Sequence, residues 1–277
     1  MSNLISAAEL AALLESETPV RVLDVRWRLD KPDGHDDYLA GHIPGAVYVN
    51  LDTELADPDG DPALGRHPLP TLDILNTAVT RWGLNPGDTV VAYDTFASLP
   101  AARAWWVLAD AGFVTLRVLD GGLAAWTAED RALETGEITP EPGTLVLTRL
   151  GHNAVLDADA AAALATSGVL IDSRAGERFR GESEPMDPRA GHIPGAVNVP
   201  SGKYLDNGHF LDPERLRAVF AGVGAVPGAQ IGTTCGSGIT AAHTALALAE
   251  AGLPAAVFAG SWSAWSRDPQ RPVATGA

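Results

Sequence analysis

Two halves of the chain repeat one another in their order of apolar and polar positions. Pro19–Val25 (PVRVLDV) and Gly168–Ser173 (GVLIDS) are short apolar runs that close on Asp24 and Asp172, each two residues before an arginine, Arg26 or Arg174. Runs of this length and character predict buried strands with a loop at the carboxyl end. Val90–Tyr93 and Ile231–Thr234 predict a second matched pair of strands. Ala101–Gly112 and Ala241–Gly252 predict helices, both ending in A-[DE]-A-G with the glycine as C-cap. Val114–Leu119 and Ala255–Phe258 predict a further strand in each half, followed by GGLAAW and GSWSAW up to Trp126 and Trp265. Short strands alternating with helices imply an α/β fold, a parallel sheet flanked by helices on both faces, built twice.

Ala40–Val47 and Ala190–Val197 both read AGHIPGAV, 150 positions apart, a period of domain length. The boundary falls where Thr135–Val146 (TGEITPEPGTLV) breaks both periodicities with Gly, Pro and Thr. The expected organisation is a first domain over 1–135, a linker over 136–153 and a second domain over 154–277. With 46% hydrophobic and 19% charged residues in 277, each half has the material for its own core. The start of the chain lacks the charged-then-apolar build of a signal peptide, and Ser6 with Glu9 predicts a capping box instead. No run of about eighteen apolar residues predicts a membrane span. A cytoplasmic location is the expectation.

The net charge of −16 argues against nucleic acid and against an anionic membrane as partners, because both require a positive field. A small anion would have to be met by local groups. The single cysteine, Cys235, excludes an intramolecular disulfide, a CxxC pair and a multi-thiolate zinc site. No cluster of His, Cys or carboxylate has ligand spacing, so neither a metal nor an organic cofactor is expected.

The repeat separates residues of the fold from residues of the chemistry. His42 and His192, with Pro44 and Pro194, are common to both halves and read as parts of a structural turn. Asp24 with Arg26 and Asp172 with Arg174 read as internal ion pairs. The halves differ at one loop, where Asp94–Pro100 (DTFASLP) stands opposite Cys235–Thr240 (CGSGIT), with one extra residue in the first copy. A carboxylate replaces the thiol, so the first copy is the non-catalytic one. In the second, Gly236 and Gly238 are expected at positive φ, turning backbone N–H groups toward the sulfur. The helix expected to start near Ile239 adds its positive end. These groups favour a thiolate and would equally favour a persulfide anion.

On CGSGITA at Cys235–Ala241, the two GHIPGA segments, DGGLAAW from Asp120 and GSW at Gly260–Trp262, the chain resembles the tandem-domain sulfurtransferases of the rhodanese superfamily, and among them the 3-mercaptopyruvate sulfurtransferases. The resemblance runs from about Leu4 to Trp265 and implies two rhodanese-like domains. It implies catalytic roles for Cys235 as sulfur carrier and for Ser237, His67 (in HPLP) and Asp52 (in VNLDTE) as a proton relay. It implies Arg178 as a holder of the donor carboxylate, with Gly236, Gly238, Ile239 and Thr240 lining the site. The family's second arginine has no clean match, since Glu182–Pro188 (ESEPMDP) is short and sets Met186 near that position; Arg189 is the expected substitute.

The implied reaction moves a sulfane sulfur from 3-mercaptopyruvate through a Cys235 persulfide to a thiol or cyanide, releasing pyruvate. The partners are a small anionic sulfur donor and a thiol acceptor, such as a thioredoxin-like reductant or a low-molecular-weight thiol. Thiosulfate sulfurtransferase is the nearest alternative, although its loop typically carries basic residues whereas this one is neutral. A cysteine phosphatase would need C-x5-R, but Ala241 stands six residues after Cys235 and no Arg or Lys occurs from Gly236 to Ser266. A non-catalytic binding module is the third alternative, opposed by the intact CGSGIT loop.

Overall fold

The computed structural model describes residues 2–277 and falls into two compact units. One comprises the chain up to Asp57, Leu69–His152 and Asn207–His209; the other comprises Pro58–Pro68, Asn153–Asp206 and Phe210–Ala277.

In the first unit, strands β1 (Leu4–Ile5), β2 (Val20–Asp24), β3 (Val47–Tyr48), β4 (Thr89–Tyr93) and β5 (Leu116–Leu119) form one sheet in the order β1-β5-β4-β2-β3. Every pairing is parallel. Helices α1 (Ala7–Leu14), α2 (His35–Ala40), α3 (Leu51–Glu54), α4 (Leu72–Arg81), α5 (Leu99–Asp110) and α6 (Gly122–Ala128) flank it. The predicted capping box opens α1: the Glu9 N–H donates to Ser6 Oγ and the Ser6 N–H to Glu9 Oε2. Ile5, Leu10, Val22, Ile43, Val91, Tyr93, Leu119 and Trp126 form a core between the sheet and its helices.

The second unit repeats the plan with α7 (Ala158–Ser167), β6 (Val169–Asp172), α8 (Gly176–Phe179), β7 (Val197–Asn198), α9 (Pro213–Ala221), β8 (Ile231–Thr234), α10 (Ile239–Glu250), β9 (Ala256–Val257) and α11 (Ser261–Trp265). Its sheet runs β9-β8-β6-β7, again all parallel. The long helices that leave the equivalent strands β4 and β8 both end in the same cap. Gly112 and Gly252 are left-handed (φ 87 and 75), and the Phe113 and Leu253 N–H groups reach back to the Leu108 and Leu248 carbonyls.

The GHIPGA turns are structural. His42 is buried, stacks on Tyr38 with centroids 4.2 Å apart and sets Nδ1 2.9 Å from the Tyr38 carbonyl. His192 does the same with Phe179, at 3.7 Å and 2.7 Å. The pairs repeated in both halves are internal braces: Arg26 Nε contacts both Asp24 oxygens at 3.0 Å, and Arg174 Nη2 contacts Asp172 at 2.7 Å. The stretch expected as a linker is strapped to the first unit up to His152, with the Gly143 N–H on the Thr80 carbonyl and the Leu145 N–H on the Leu84 carbonyl. Conversely, Pro58–Pro68, in the middle of the first half of the sequence, belongs to the second unit.

Gly252 isolates the backbone part of the C-cap, because a Cβ built there meets nothing within 4 Å. Gly252→Ala should lower unfolding free energy by about 1 kcal/mol through the left-handed φ alone. Urea unfolding checks this, and an unchanged midpoint would contradict the cap assignment.

Candidate active site

Cys235 follows the carboxyl end of β8 and precedes α10, whose N-cap, Gly238, is left-handed (φ 87). That turn sets the Gly238 N–H 3.1 Å from Cys235 Sγ. Ser261, buried and itself left-handed (φ 52), accepts the Cys235 N–H at 3.1 Å. Its hydroxyl lies 3.8 Å from the sulfur and 2.9 Å from the Phe258 carbonyl, so its one proton serves either. A non-glycine residue in that conformation is locally strained, and here the strain aims a hydroxyl at the sulfur. The first turn of α11 fixes the loop from outside: the Trp262 N–H donates to the Cys235 carbonyl and the Ser263 N–H to the Gly236 carbonyl.

Gly236 departs from the sequence expectation. Its φ is not positive; a Cβ there would stand 3.1 Å from Arg66 Nη2, a tight approach, and 3.5 Å from Arg178 Nη1, an ordinary contact. Two guanidiniums therefore converge on the residue after the cysteine. Arg178, on α8, is held by Glu184 (Nη2 to Oε1 2.6 Å) and lies 3.4 Å from Asp187 Oδ2. Arg66 Nη1 pairs with Asp187 Oδ1, and its backbone N–H donates to Ser263 Oγ at 3.0 Å. Burial raises the Asp187 carboxyl from its ordinary range; Arg66 and Arg178 oppose the shift and Glu184 adds to it.

The segment that carries Arg66 and His67 sits on the start of α11. Gly65 packs so closely that a Cβ would reach the Gly260 carbonyl at 2.7 Å, and Arg267 Nη1 donates to the Pro62 carbonyl at 3.0 Å. His67 is thus in the same unit as Cys235 although it lies in the first half of the sequence. Behind the loop, Thr244 Oγ1 joins Ser173 Oγ (2.5 Å), Tyr204 Oη (2.8 Å) and the Thr240 carbonyl (3.0 Å), and Tyr204 Oη lies 3.1 Å from His243 Nδ1. Burial pushes the Tyr204 phenol above its ordinary range, opposed by the Thr244 hydrogen bond, with the Cys235 charge adding to the rise.

Of the residues expected from sequence, Cys235, Gly236, Ser237, Gly238, Ile239, Thr240 and Arg178 gather around this loop. Asp52 lies in the first unit on α3, where Oδ1 accepts the Trp27 indole N–H at 2.9 Å. Arg189 is a correction. Its guanidinium donates to the carbonyls of Trp265, Ser266, Asp268 and Arg271, closing the turn after α11, and those four bonds commit it to the fold. Sequence reading missed Arg66, Glu184, Asp187 and Ser261. Ser261 was within reach as the middle residue of GSW, and Arg66 as the neighbour of His67.

The first unit holds the matching loop with a carboxylate in place of the sulfur. Asp94 Oδ1 accepts the N–H groups of Phe96 (2.7 Å) and Ser98 (3.0 Å), and Oδ2 accepts that of Ala101 (2.9 Å). Ser98 is the left-handed N-cap of α5, as Gly238 is of α10. Burial dominates the Asp94 titration and raises its pKa from 3.8 to about 6, against the three amides.

A family model described as "Rhodanese-like domain" matches residues 6–129 and 157–268. The chain is 48% identical to "Putative thiosulfate sulfurtransferase SseB" of Mycobacterium tuberculosis, covering 99% of this chain and 97% of the relative. It is 43% identical to "Probable 3-mercaptopyruvate sulfurtransferase" of Pseudomonas aeruginosa, covering 99% of each. Among solved structures it is similar to SseA from Escherichia coli, described under the "Rhodanese" fold and 3-mercaptopyruvate sulfotransferases, with a TM-score of 0.84, 30% identity, and coverage of 95% and 99%.

Because the folded Asp94 pKa is raised, its contribution favours folding at low pH and is lost as pH rises through about 6. The side-chain carboxyl resonance of Asp94 should titrate with a midpoint near 6. A midpoint at the ordinary carboxyl value would contradict the burial argument.

Proposed function

As a member of the rhodanese family with both of its domains, the chain is a sulfurtransferase, and we propose that its donor is 3-mercaptopyruvate and its carrier Cys235. The observation that carries this reading is the placement of one sulfur at a helix start, with an amide donor at 3.1 Å, a neutral loop, and a guanidinium beside the next residue. The relatives named for thiosulfate keep that donor as the second reading.

Arg178 takes the donor carboxylate, and the Cys235 thiolate attacks the donor sulfur. A new S–S bond forms while the donor's C–S bond breaks, and the electron pair leaves with the carbon as pyruvate enolate. Protonation at carbon gives pyruvate. Ser237 and His67, both in the second unit, supply and orient that proton. The outer sulfur of the persulfide needs a further donor. The non-catalytic copy supports one, because the Ala101 N–H there meets the second carboxylate oxygen at 2.9 Å, and Ala241 occupies the corresponding helix position. A thiolate acceptor then attacks the outer sulfur and restores the Cys235 thiolate. A small thiol or a thioredoxin-like reductant is the proposed acceptor, since the chain has no second cysteine.

Two predictions separate these roles. With one acceptor held constant, kcat/KM should be higher for 3-mercaptopyruvate than for thiosulfate, and Cys235→Ser should be inactive with both. A thiosulfate preference would overturn the donor assignment, and turnover by the serine variant would overturn the carrier. His67→Ala should lower kcat with 3-mercaptopyruvate by about 10²-fold or more, as loss of a general acid does. Thiosulfate turnover, which needs no carbon protonation, should fall far less. Equal losses would make His67 a structural residue.

A further inference from the structure

Arg66 is the strongest feature of the site without a role. Its segment, Pro58–Pro68, is drawn into the second unit, and its side chain ends beside Gly236. The guanidinium presents five N–H donors. Nη1 is paired with Asp187, whereas Nε is buried with no partner and Nη2 points at the space a Gly236 side chain would fill. A desolvated, unpaired donor costs about 1–3 kcal/mol. Arg178 shows the same arrangement from the other side: Nε and Nη2 face Glu184, and Nη1 faces the space beside Gly236.

We propose that Arg66 is the second guanidinium of the donor-carboxylate site, sharing the two carboxylate oxygens with Arg178, and that Asp187 is the positioning residue that holds the two arginines side by side. This rests on the reading that Cys235 takes sulfur from a carboxylate donor.

The carboxylates explain how two cations can approach so closely. Asp187 sets Oδ1 on Arg66 and Oδ2 toward Arg178, offsetting their repulsion. Glu184 binds both Arg178 and Arg174, and its Oε1 also accepts the Met186 and Asp187 N–H groups, which fixes the short loop that carries Asp187. Arg66, Arg174 and Arg178 are matched by Asp172, Glu184 and Asp187, so the cluster is charge-balanced before a donor binds. Selection then rests on unpaired N–H groups and not on surplus charge. That suits a planar monoanion better than a dianion, which would bring two uncompensated charges. The short ESEPMDP loop thus supplies the acid that recruits an arginine from a distant part of the sequence.

The test uses Cys235 alkylation, which needs no turnover. Iodoacetate carries the carboxylate that iodoacetamide lacks; in both, the thiolate forms an S–C bond as iodide leaves. Relative to wild type, Arg66→Gln should slow alkylation by iodoacetate about 10-fold or more, the loss expected for a hydrogen bond to a charged group. Iodoacetamide should stay within about twofold, and KM for 3-mercaptopyruvate should rise more than kcat falls. Arg66→Lys keeps the charge without the planar fork, so it should lower the iodoacetate-to-iodoacetamide ratio several-fold and gives the answer if the glutamine variant does not fold. An unchanged ratio in a folded variant overturns the proposal. A fallen ratio in a protein inert toward 3-mercaptopyruvate would sink the donor reading and support Arg66. An unchanged ratio with normal 3-mercaptopyruvate turnover would sink Arg66 alone.

Discussion

One sulfur must be held at the start of α10 by a loop with no cationic side chain of its own, and the second unit is arranged around that constraint. The solution begins with backbone. A left-handed Gly238 ends the loop, opens α10 and delivers an N–H to the sulfur at 3.1 Å. Bonds from fixed backbone dipoles need no side-chain ordering at the moment of reaction, which suits the proposed alternation of Cys235 between thiolate and persulfide. The strained Ser261, the α11 amides on the loop carbonyls, and the Ser173, Thr244 and Tyr204 hydroxyls behind the helix start all serve to hold that geometry.

The two units place different groups in the same loop. In the first, the loop is one residue longer, and Ala97 and Ser98 both adopt left-handed φ to fit it. Three amides there close on the Asp94 carboxylate. A side-chain carboxyl fills the cradle and occupies the place of the sulfur. In the second, a single sulfur leaves the start of α10 able to receive another atom.

Much of this was legible in the sequence because it is local. The strands ending at Asp24 and Asp172, the A-[DE]-A-G caps, the Ser6–Glu9 box and the Cys235 loop are each written in a few adjacent residues. The structural reading of His42 and His192 came from their presence in both copies, and their stacking on Tyr38 and Phe179 gives its physical content. What was not legible depends on long-range placement. Arg189 looked poised for the donor because it follows the short loop, yet the carbonyls after α11 take its donors. Arg66 was passed over because nothing local says that Pro58–Pro68 joins the second unit. Gly236 was expected at positive φ, whereas its φ is not positive and what stands beside it is a pair of guanidiniums.

The central claim is that sulfur rests covalently on Cys235 between donor and acceptor. Intact-protein and peptide mass spectrometry after mixing with stoichiometric 3-mercaptopyruvate, with no acceptor present, tests it most directly. The account predicts a gain of one sulfur atom per chain, located on the Cys235 peptide, matched by one pyruvate released and reversed by a thiol. Pyruvate release without a mass gain, or a sulfur found on any other residue, would contradict it.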